Sequence, residues 1–493
     1  MWFNSIDFLM FILIVLPIYY ALGAIRSGRG LPRVLFLLVS SYFFYMCWNP
    51  AYIILIVAST VLDYFCGLGF LNWPKNRHKW LVTFSMCGNL GILAFFKYGH
   101  FFYQNAQVLG AALGWDLPPY PKGWEFVLPV GISFYTFQTM SYTIDLYRGK
   151  TTVETSFWRF ALFVAYFPQL VAGPIERARH LIGEIKRGVT RARPVDTMGA
   201  LQQISYGLFK KVAVADSIGI LINPIFANPD QYSGAHILTA SILFSFQIYG
   251  DFSGYSDIAI GIAKLFGIRI STNFFFPYFT TNIARFWRTW HMSLSSWLKE
   301  YLYIVLGGNR KGRIRTYANL MVTMLLGGLW HGASWNFVLW GFLHGLYLAA
   351  HKVIGRFRPQ RSQTDVSHSH SMLRALKWPL ILVAGLFNFL LVTLTWIPFR
   401  CVAFSDTFTC LRRIFTWAPA SVYMPAVDTG QLAVCWLLVG LVLLFDAFYK
   451  CEFNYFQDKR WTAYVKSTLP PIYILLTIIF GAAEAQQFIY FQF

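Results

Sequence analysis

Apolar runs recur along the whole of this 493-residue chain, and short loops rich in basic residues or in Pro and Gly separate them. Many approach the ~20 residues that carry an α-helix across a hydrocarbon core. This pattern constrains the fold more than any other feature. A water-soluble protein of this length needs charge to cover its exterior, yet only 13% of the residues are Asp, Glu, Lys or Arg, against 56% hydrophobic. The chain therefore reads as an all-α, polytopic membrane protein. The formal charge of +20 does not point to nucleic acid. Many of the basic residues fall in loops between apolar runs, where the positive-inside rule and anionic lipid heads account for them.

Residues 3–22 predict a first span that is retained in the protein and enters from outside, because Arg26, Arg29 and Arg33 follow it. Further helices are expected at about 34–48, 51–70, 80–96, 157–173, 197–222, 236–263, 317–330, 333–350, 376–397, 430–448 and 465–483. The total expected is roughly eleven true spans. The run at 129–145 holds Ser, Thr, Gln and Tyr, and predicts a helix enclosed by other helices. Residues 270–315 are aromatic yet carry Arg285, Arg288, His291, Lys299, Glu300 and Arg310. Such a load predicts re-entrant or interfacial helices instead of a lipid-facing span. The seven cysteines form no close metal-binding pair. A Cys401–Cys410 disulfide would close a short loop outside the membrane. His368 and His370 in a polar loop are weak metal candidates, and nothing in the sequence requires a metal.

Four polar clusters interrupt the hydrocarbon pattern. In G-G-L-W-H-G-A-S-W-N (327–336), His331 suits three roles: a hydrogen-bonded structural group, a station on an ion or proton path, or a general base. The glycines around it allow close approach of backbone or substrate. In R-F-W-R-T-W-H-M-S-L-S-S-W (285–297), a continuous helix would place Arg285 with Arg288, and Arg288 with His291, on shared faces. The two arginines suit either phosphates or snorkelling toward headgroups. In Q-I-Y-G-D-F-S-G-Y-S-D (247–257), Asp251 and Asp257 are expected to pair with those arginines or to orient a histidine, and Gly250 and Gly254 are candidate helix breaks. In F-P-Q-L-V-A-G-P-I-E-R (167–177), Glu176 and Arg177 read as ordinary loop charges.

W-H-M-S-L-S-S-W-L (290–298) followed by L-W-H-G-A-S-W-N-F (329–337) resembles the membrane-bound O-acyltransferase family. The resemblance extends through P-V-G-I-S-F-Y-T-F-Q (129–138), the 167–177 and 249–261 stretches, and the C-terminal Q-F-I-Y-F-Q-F. It covers nearly the whole chain, so residues 1–493 read as one domain of this family, in its bacterial branch that acetylates exported polysaccharides such as alginate.

The resemblance implies a ring of tilted helices around a central tunnel. His331 is then the catalytic histidine and His291 a second essential or supporting one; beside them Trp330, Asn336, Asp251 and Asp257 are read as supporting residues. It implies acyl transfer from a thioester to a hydroxyl, with acetyl-coenzyme A as donor substrate and no permanently bound cofactor. On this expectation Arg285 and Arg288 hold the donor's phosphates. The protein would sit in a bacterial inner membrane among lipids, with a periplasmic acetyltransferase partner and a polysaccharide export complex. The rival readings are a D-alanyl transferase of the teichoic acid type that draws on a carrier-protein thioester, a proton-coupled transporter, and a scaffold subunit.

Overall fold

A computed structural model describes residues 1–24, 30–121, 128–171, 173–190, 195–355, 377–421, 427–455, 459–482 and 486–489. His368, His370 and the last four residues lie outside these. The described elements are helices: α1 (Ile6–Ala21), α2 (Leu31–Met46), α3 (Ile53–Asn72), α4 (His78–Leu93), α5 (Gly99–Ala112), α6 (Ile132–Tyr147), α7 (Phe157–Ala165), α8 (Phe167–Leu170), α9 (Ala178–Thr190), α10 (Thr197–Leu208), α11 (Asp216–Ala227), α12 (Gly234–Leu265), α13 (Ile283–Thr289), α14 (Met292–Leu298), α15 (Arg313–His331), α16 (Trp335–Ile354), α17 (Lys377–Arg400), α18 (Phe404–Phe415), α19 (Thr429–Tyr455) and α20 (Lys459–Phe480). No strand occurs among the described residues. With no water in hydrocarbon to satisfy N–H and C=O groups, helices are the expected solution.

Among the described residues, 6 helices are long and apolar enough to cross a membrane. The protein is thus a multi-pass membrane protein. Fewer helices meet the apolar criterion than the eleven spans expected. The reason is visible in α6, where every residue but Ile144 and Tyr147 is buried. A helix enclosed by protein needs no lipid-compatible surface, so it carries Ser, Thr, Gln and Asp freely. The helix expected at 157–173 is instead broken at Tyr166, ahead of Pro168.

The chain divides into two compact units. The first comprises Met1–Leu208, Gly254–Thr272 and Lys466–Ile474, and the second Phe209–Ser253, Asn273–Val465 and Leu475–Phe493. In the first unit a polar seam joins α3, α4 and α6. Asp63 accepts from Ser85 Oγ and from Asn89 Nδ2 (2.7 Å), while Ser59 Oγ donates to Asn89 Oδ1 (2.6 Å). Such bonds associate helices where no hydrophobic drive between them exists.

Glu176 reads as a loop charge in the sequence but is fully buried. Its carboxylate contacts His180 Nδ1 at 2.8 Å and accepts the Ser271 backbone N–H. The residue therefore ties the chain after α8 to the segment that follows α12. Arg177 is buried as well.

In the second unit, Lys211 lies in a π-helical stretch, Phe209–Ala215, between α10 and α11. Its ammonium is 2.7 Å from Asp216 Oδ1 and 2.7 Å from Asp251 Oδ1, and donates to the Gln486 carbonyl at 3.1 Å. The Ile489 backbone N–H donates to Asp251 Oδ2 at 2.6 Å. Gly250 does not break α12, which runs unbroken past it. A Cβ there would stand 2.8 Å from the Lys210 carbonyl. The glycine's role is to let the π-helical backbone come close.

Two outcomes are expected from these charges. The hydrogen bond that His180 donates to the Glu176 carboxylate holds the His180 pKa above its ordinary 6.5. His180 therefore stabilises the fold fully below about pH 6.5, and that contribution fades as pH rises through the elevated value. The side chain is 40% exposed, so solvent screening keeps the effect small. The thermal midpoint of the detergent-solubilised protein should decline more between pH 6 and 8 than that of His180→Gln. Equal declines would refute the linkage. Second, Lys211→Met strands two buried carboxylates and should destabilise the protein by about 3–5 kcal/mol. Thermal unfolding would read this directly, and an unchanged midpoint would rule it out.

Candidate active site

His291 and His331 lie forty residues apart in sequence and meet in the second unit, with ring centroids 6.5 Å apart. Different local structures place them. His331 is the last residue of α15, which forms an antiparallel hairpin with α16. Three glycines make this packing close. A Cβ on Gly328 would stand 2.1 Å from the Phe337 carbonyl oxygen, one on Gly341 2.3 Å from that of Met324, and one on Gly332 2.1 Å from the Phe337 ring. Over its 19 residues, α15 advances about 28 Å. His331 thus sits at the end of the hairpin opposite Arg313, Arg315 and Lys352.

His291 interrupts the helix at 285–297, so the segment is not continuous. The segment α13 ends at Thr289, Trp290 is extended, and His291 takes a left-handed conformation at φ 41. A non-glycine residue at positive φ stores strain of order 1–3 kcal/mol and needs surrounding contacts to hold it. Asn273 supplies them. Its side-chain oxygen lies 3.1 Å from His291 Nδ1 and accepts from Ser293 Oγ (2.9 Å) and the Ser293 N–H, while its carbonyl accepts the Met292 N–H (2.8 Å). An amide oxygen only accepts, so Nδ1 of His291 carries the proton and Nε2 keeps its lone pair. Because the helix breaks here, Arg288 and His291 share no helical face. At about 1.5 Å per residue, neither α13 nor α14, 7 residues each, spans more than a fraction of a bilayer.

Aromatic rings enclose both histidines, which are buried. Phe252 meets His291 edge-on at 4.7 Å, and Trp330 lies 5.8 Å from it. Around His331 stand Trp330 (5.0 Å), Trp340 (5.0 Å) and Phe399 (5.2 Å). Asn336 steadies the start of α16. Its Nδ2 donates to the Cys401 carbonyl at 2.8 Å, and its Oδ1 accepts from Thr407 at 2.9 Å. Cys401 and Cys410 are free thiols with Sγ atoms 3.9 Å apart, so the loop closure envisaged for them is not made.

The remaining sequence candidates lie elsewhere. Arg285 and Arg288 are exposed on α13. Asp251 is paired with Lys211 instead of an arginine, and Phe252, its neighbour in sequence, is the ring against His291. Asp257 belongs to the first unit, where Gln203 Nε2 donates to it at 3.3 Å. Toward the end of the hairpin away from His331, an open cavity of about 760 Å³ is lined by Asn282, Tyr347, His351, Phe387 and Asn388, among others.

One member of the constellation escapes the sequence reading. His344, fully buried on α16, accepts from Trp287 Nε1 at 3.3 Å and lies 3.0 Å from Thr395 Oγ1. Its ring packs 4.7 Å from Trp340. It is one turn beyond Trp340, and that i,i+4 spacing from a residue near His331 is the available signal.

Two buried imidazoles among aromatic rings, one of them held by Asn273, are equipped to move a proton away from bulk solvent. Residues 150–394 match the model of MBOAT, the membrane-bound O-acyltransferase family, a span that holds both histidines. The chain is 35% identical to the probable alginate O-acetylase AlgI of Pseudomonas aeruginosa, over 87% of this chain and 80% of that one. It is 35% identical to the peptidoglycan O-acetyltransferase of Helicobacter pylori, over 98% and 96%. It is 29% identical to the teichoic acid D-alanyltransferase of Streptococcus thermophilus, over 44% and 55%. The chain belongs to the membrane-bound O-acyltransferase family and is a multi-pass O-acyltransferase.

Proposed function

We propose that the protein takes an acetyl group from a cytoplasmic thioester, acetyl-coenzyme A, and delivers it to a hydroxyl on the far side of a bacterial inner membrane, for O-acetylation of an exported polysaccharide. The observation that carries this reading is the convergence of His331 and His291 at the end of the α15–α16 hairpin away from its basic residues. By the positive-inside rule, Arg313, Arg315 and Lys352 mark the cytoplasmic end. The histidines then lie toward the acceptor side.

His331 acts as the general base. The acceptor oxygen attacks the thioester carbonyl carbon while its proton passes to the imidazole. The tetrahedral intermediate collapses with cleavage of the C–S bond, and the proton held by His331 goes to the departing thiolate. The products are an ester and a free thiol. His291, fixed by Asn273 with a lone pair at Nε2, orients the acceptor or its proton. Arg285 and Arg288 stand on the exposed face of α13, where the donor's phosphates would approach. The cavity toward the basic end gives the donor's thioester arm an entry. The acceptor is a sugar hydroxyl or a hydroxyl of a periplasmic partner working with an export complex. The likeness to alginate O-acetylases supports alginate as the polymer, while the end-to-end match to a peptidoglycan O-acetyltransferase supports a cell-wall glycan. Both belong to one class, a hydroxyl-rich polysaccharide outside the cytoplasm.

Membranes that hold the complete system, supplied with radiolabelled acetyl-coenzyme A, should transfer label to polymer. The variant His331→Ala, folded by gel filtration, should lose at least about a hundredfold in turnover, the scale expected of a general base. His291→Asn should lose less than His291→Ala, because an amide still bonds to Asn273. Undiminished turnover in His331→Ala would sink the mechanism. Transfer from a carrier-protein thioester alone would favour the D-alanyl type of reaction, and proton-coupled uptake without thioester turnover would favour a transporter.

A further inference from the structure

Acyl transfer builds negative charge on the carbonyl oxygen, and the pocket must supply hydrogen-bond donors for it. The backbone amides of Gly327 and Gly328 are not candidates, since both lie within α15 and serve its own ladder. His344 has spent both nitrogens. The indole N–H of Trp287 donates to its Nδ1, so Nε2 carries the proton and faces Thr395 Oγ1, whose own hydrogen goes to the Val392 carbonyl at 2.6 Å. Two indole rings stand beside His331, Trp330 and Trp340, and of these Trp340 also packs against His344. Trp340 is 1% exposed, and its indole N–H meets no acceptor among the described residues. A buried N–H without a partner costs about 1–3 kcal/mol, and in a native site such a group calls for a reason.

We propose that Trp340 is a catalytic residue of this acyltransferase, whose indole N–H donates to the thioester carbonyl oxygen as it becomes an oxyanion. The assignment rests on the acetyl-transfer reading above. The indole stands edge-to-face with the His331 imidazole, at 5.0 Å between centroids and 81° between planes. A hydroxyl bound to His331 attacks a carbonyl carbon close to the imidazole, and Trp340 is one of the rings in contact with that imidazole. The indole is held from several sides. His344 packs on it at 4.7 Å, Trp287 at 5.7 Å and Phe399 at 5.5 Å. Trp287 is itself tied to His344, so the donor needs no reorganisation when charge develops. His344 acts through Trp340 and is a positioning residue.

Trp396 provides the matched comparison. It too is fully buried, its indole N–H meets no partner among the described residues, and it stacks on Trp340 at 5.9 Å. It makes no ring contact with His331 among those described.

The test is steady-state acetyl transfer from acetyl-coenzyme A in membranes containing the complete system. Trp340→Phe should lower kcat roughly a hundredfold and leave KM within about twofold, because the bond is made only in the transition state. Replacement of Trp340 by 3-benzothienylalanine keeps the bicyclic ring, removes the N–H and should show the same loss, which separates chemistry from packing. Trp396→Phe should keep kcat within about threefold. His344→Phe should lower kcat, and His344→Gln, which can still reach Thr395, should recover part of it. Three results would overturn the assignment: full kcat with 3-benzothienylalanine at Trp340, equal losses in Trp340→Phe and Trp396→Phe, or a change in KM alone. No acetyl transfer by the wild type would overturn the acetyl-transfer reading and this assignment together. Wild-type transfer that is indifferent to position 340 would overturn this assignment alone.

Discussion

Hydrocarbon offers no hydrogen bonds, and most of this structure follows from that. Every backbone polar group inside the membrane must find a partner within the protein. A helix does this automatically. Any departure from helix must be supplied with partners from elsewhere in the chain. The break between α13 and α14 is the clearest case. Leaving the helix at Trp290 and His291 strands polar groups that Asn273 then collects: its carbonyl takes the Met292 N–H, and its side-chain oxygen faces Ser293 and the His291 ring. One asparagine thus makes the break tolerable and fixes the tautomer of the imidazole that the break exposes. The strain at φ 41 and the fixed orientation of the His291 ring share a cause.

The same absence of water explains the charged centre around Lys211. An ammonium and two carboxylates in a buried place are stable only as a set. Their association fixes three pieces of chain: the π-helical stretch before α11, the middle of α12, and the residues 486–489. Phe252 follows Asp251 directly and forms one wall against His291. A helix held at Asp251 cannot rotate without moving that wall. The ion cluster and the histidine are therefore mechanically linked, although no hydrogen bond between them is needed.

Much of this is legible in the sequence, and for a physical reason. His331 and His291 are conspicuous because imidazole is expensive in an apolar run, so each calls for an explanation on the sequence alone. The apolar runs announce the class, and the polar content of 129–145 announces that α6 is enclosed. Other features leave no local trace. The break at His291 carries no Gly or Pro, because the support that permits it comes from residue 273, outside the segment. Lys211 and Asp251 are forty residues apart, and neither neighbourhood names the other. Glu176 looks like a loop charge because its second ligand, the Ser271 backbone, is invisible to side-chain patterns. The count of spans suffers from the same blindness. Hydropathy measures contact with lipid, and an enclosed helix has little.

The aromatic content of the site has a reason beyond filling space. Aliphatic side chains would keep water from His331 equally well but would bring no donors. Tryptophan combines a large apolar body with one N–H, and is normally found buried only where that N–H has a partner. Trp340 and Trp396, both buried, depart from this rule among the described residues. A low-dielectric pocket makes each unmade hydrogen bond costly and makes the same bond, once formed to a developing oxyanion, correspondingly strong. An orphaned donor that destabilises the resting protein slightly and is satisfied only at the transition state lowers the barrier without tightening the hold on substrate. The packing of His344, Trp287 and Phe399 around Trp340 keeps that donor from relaxing toward any other acceptor in the meantime.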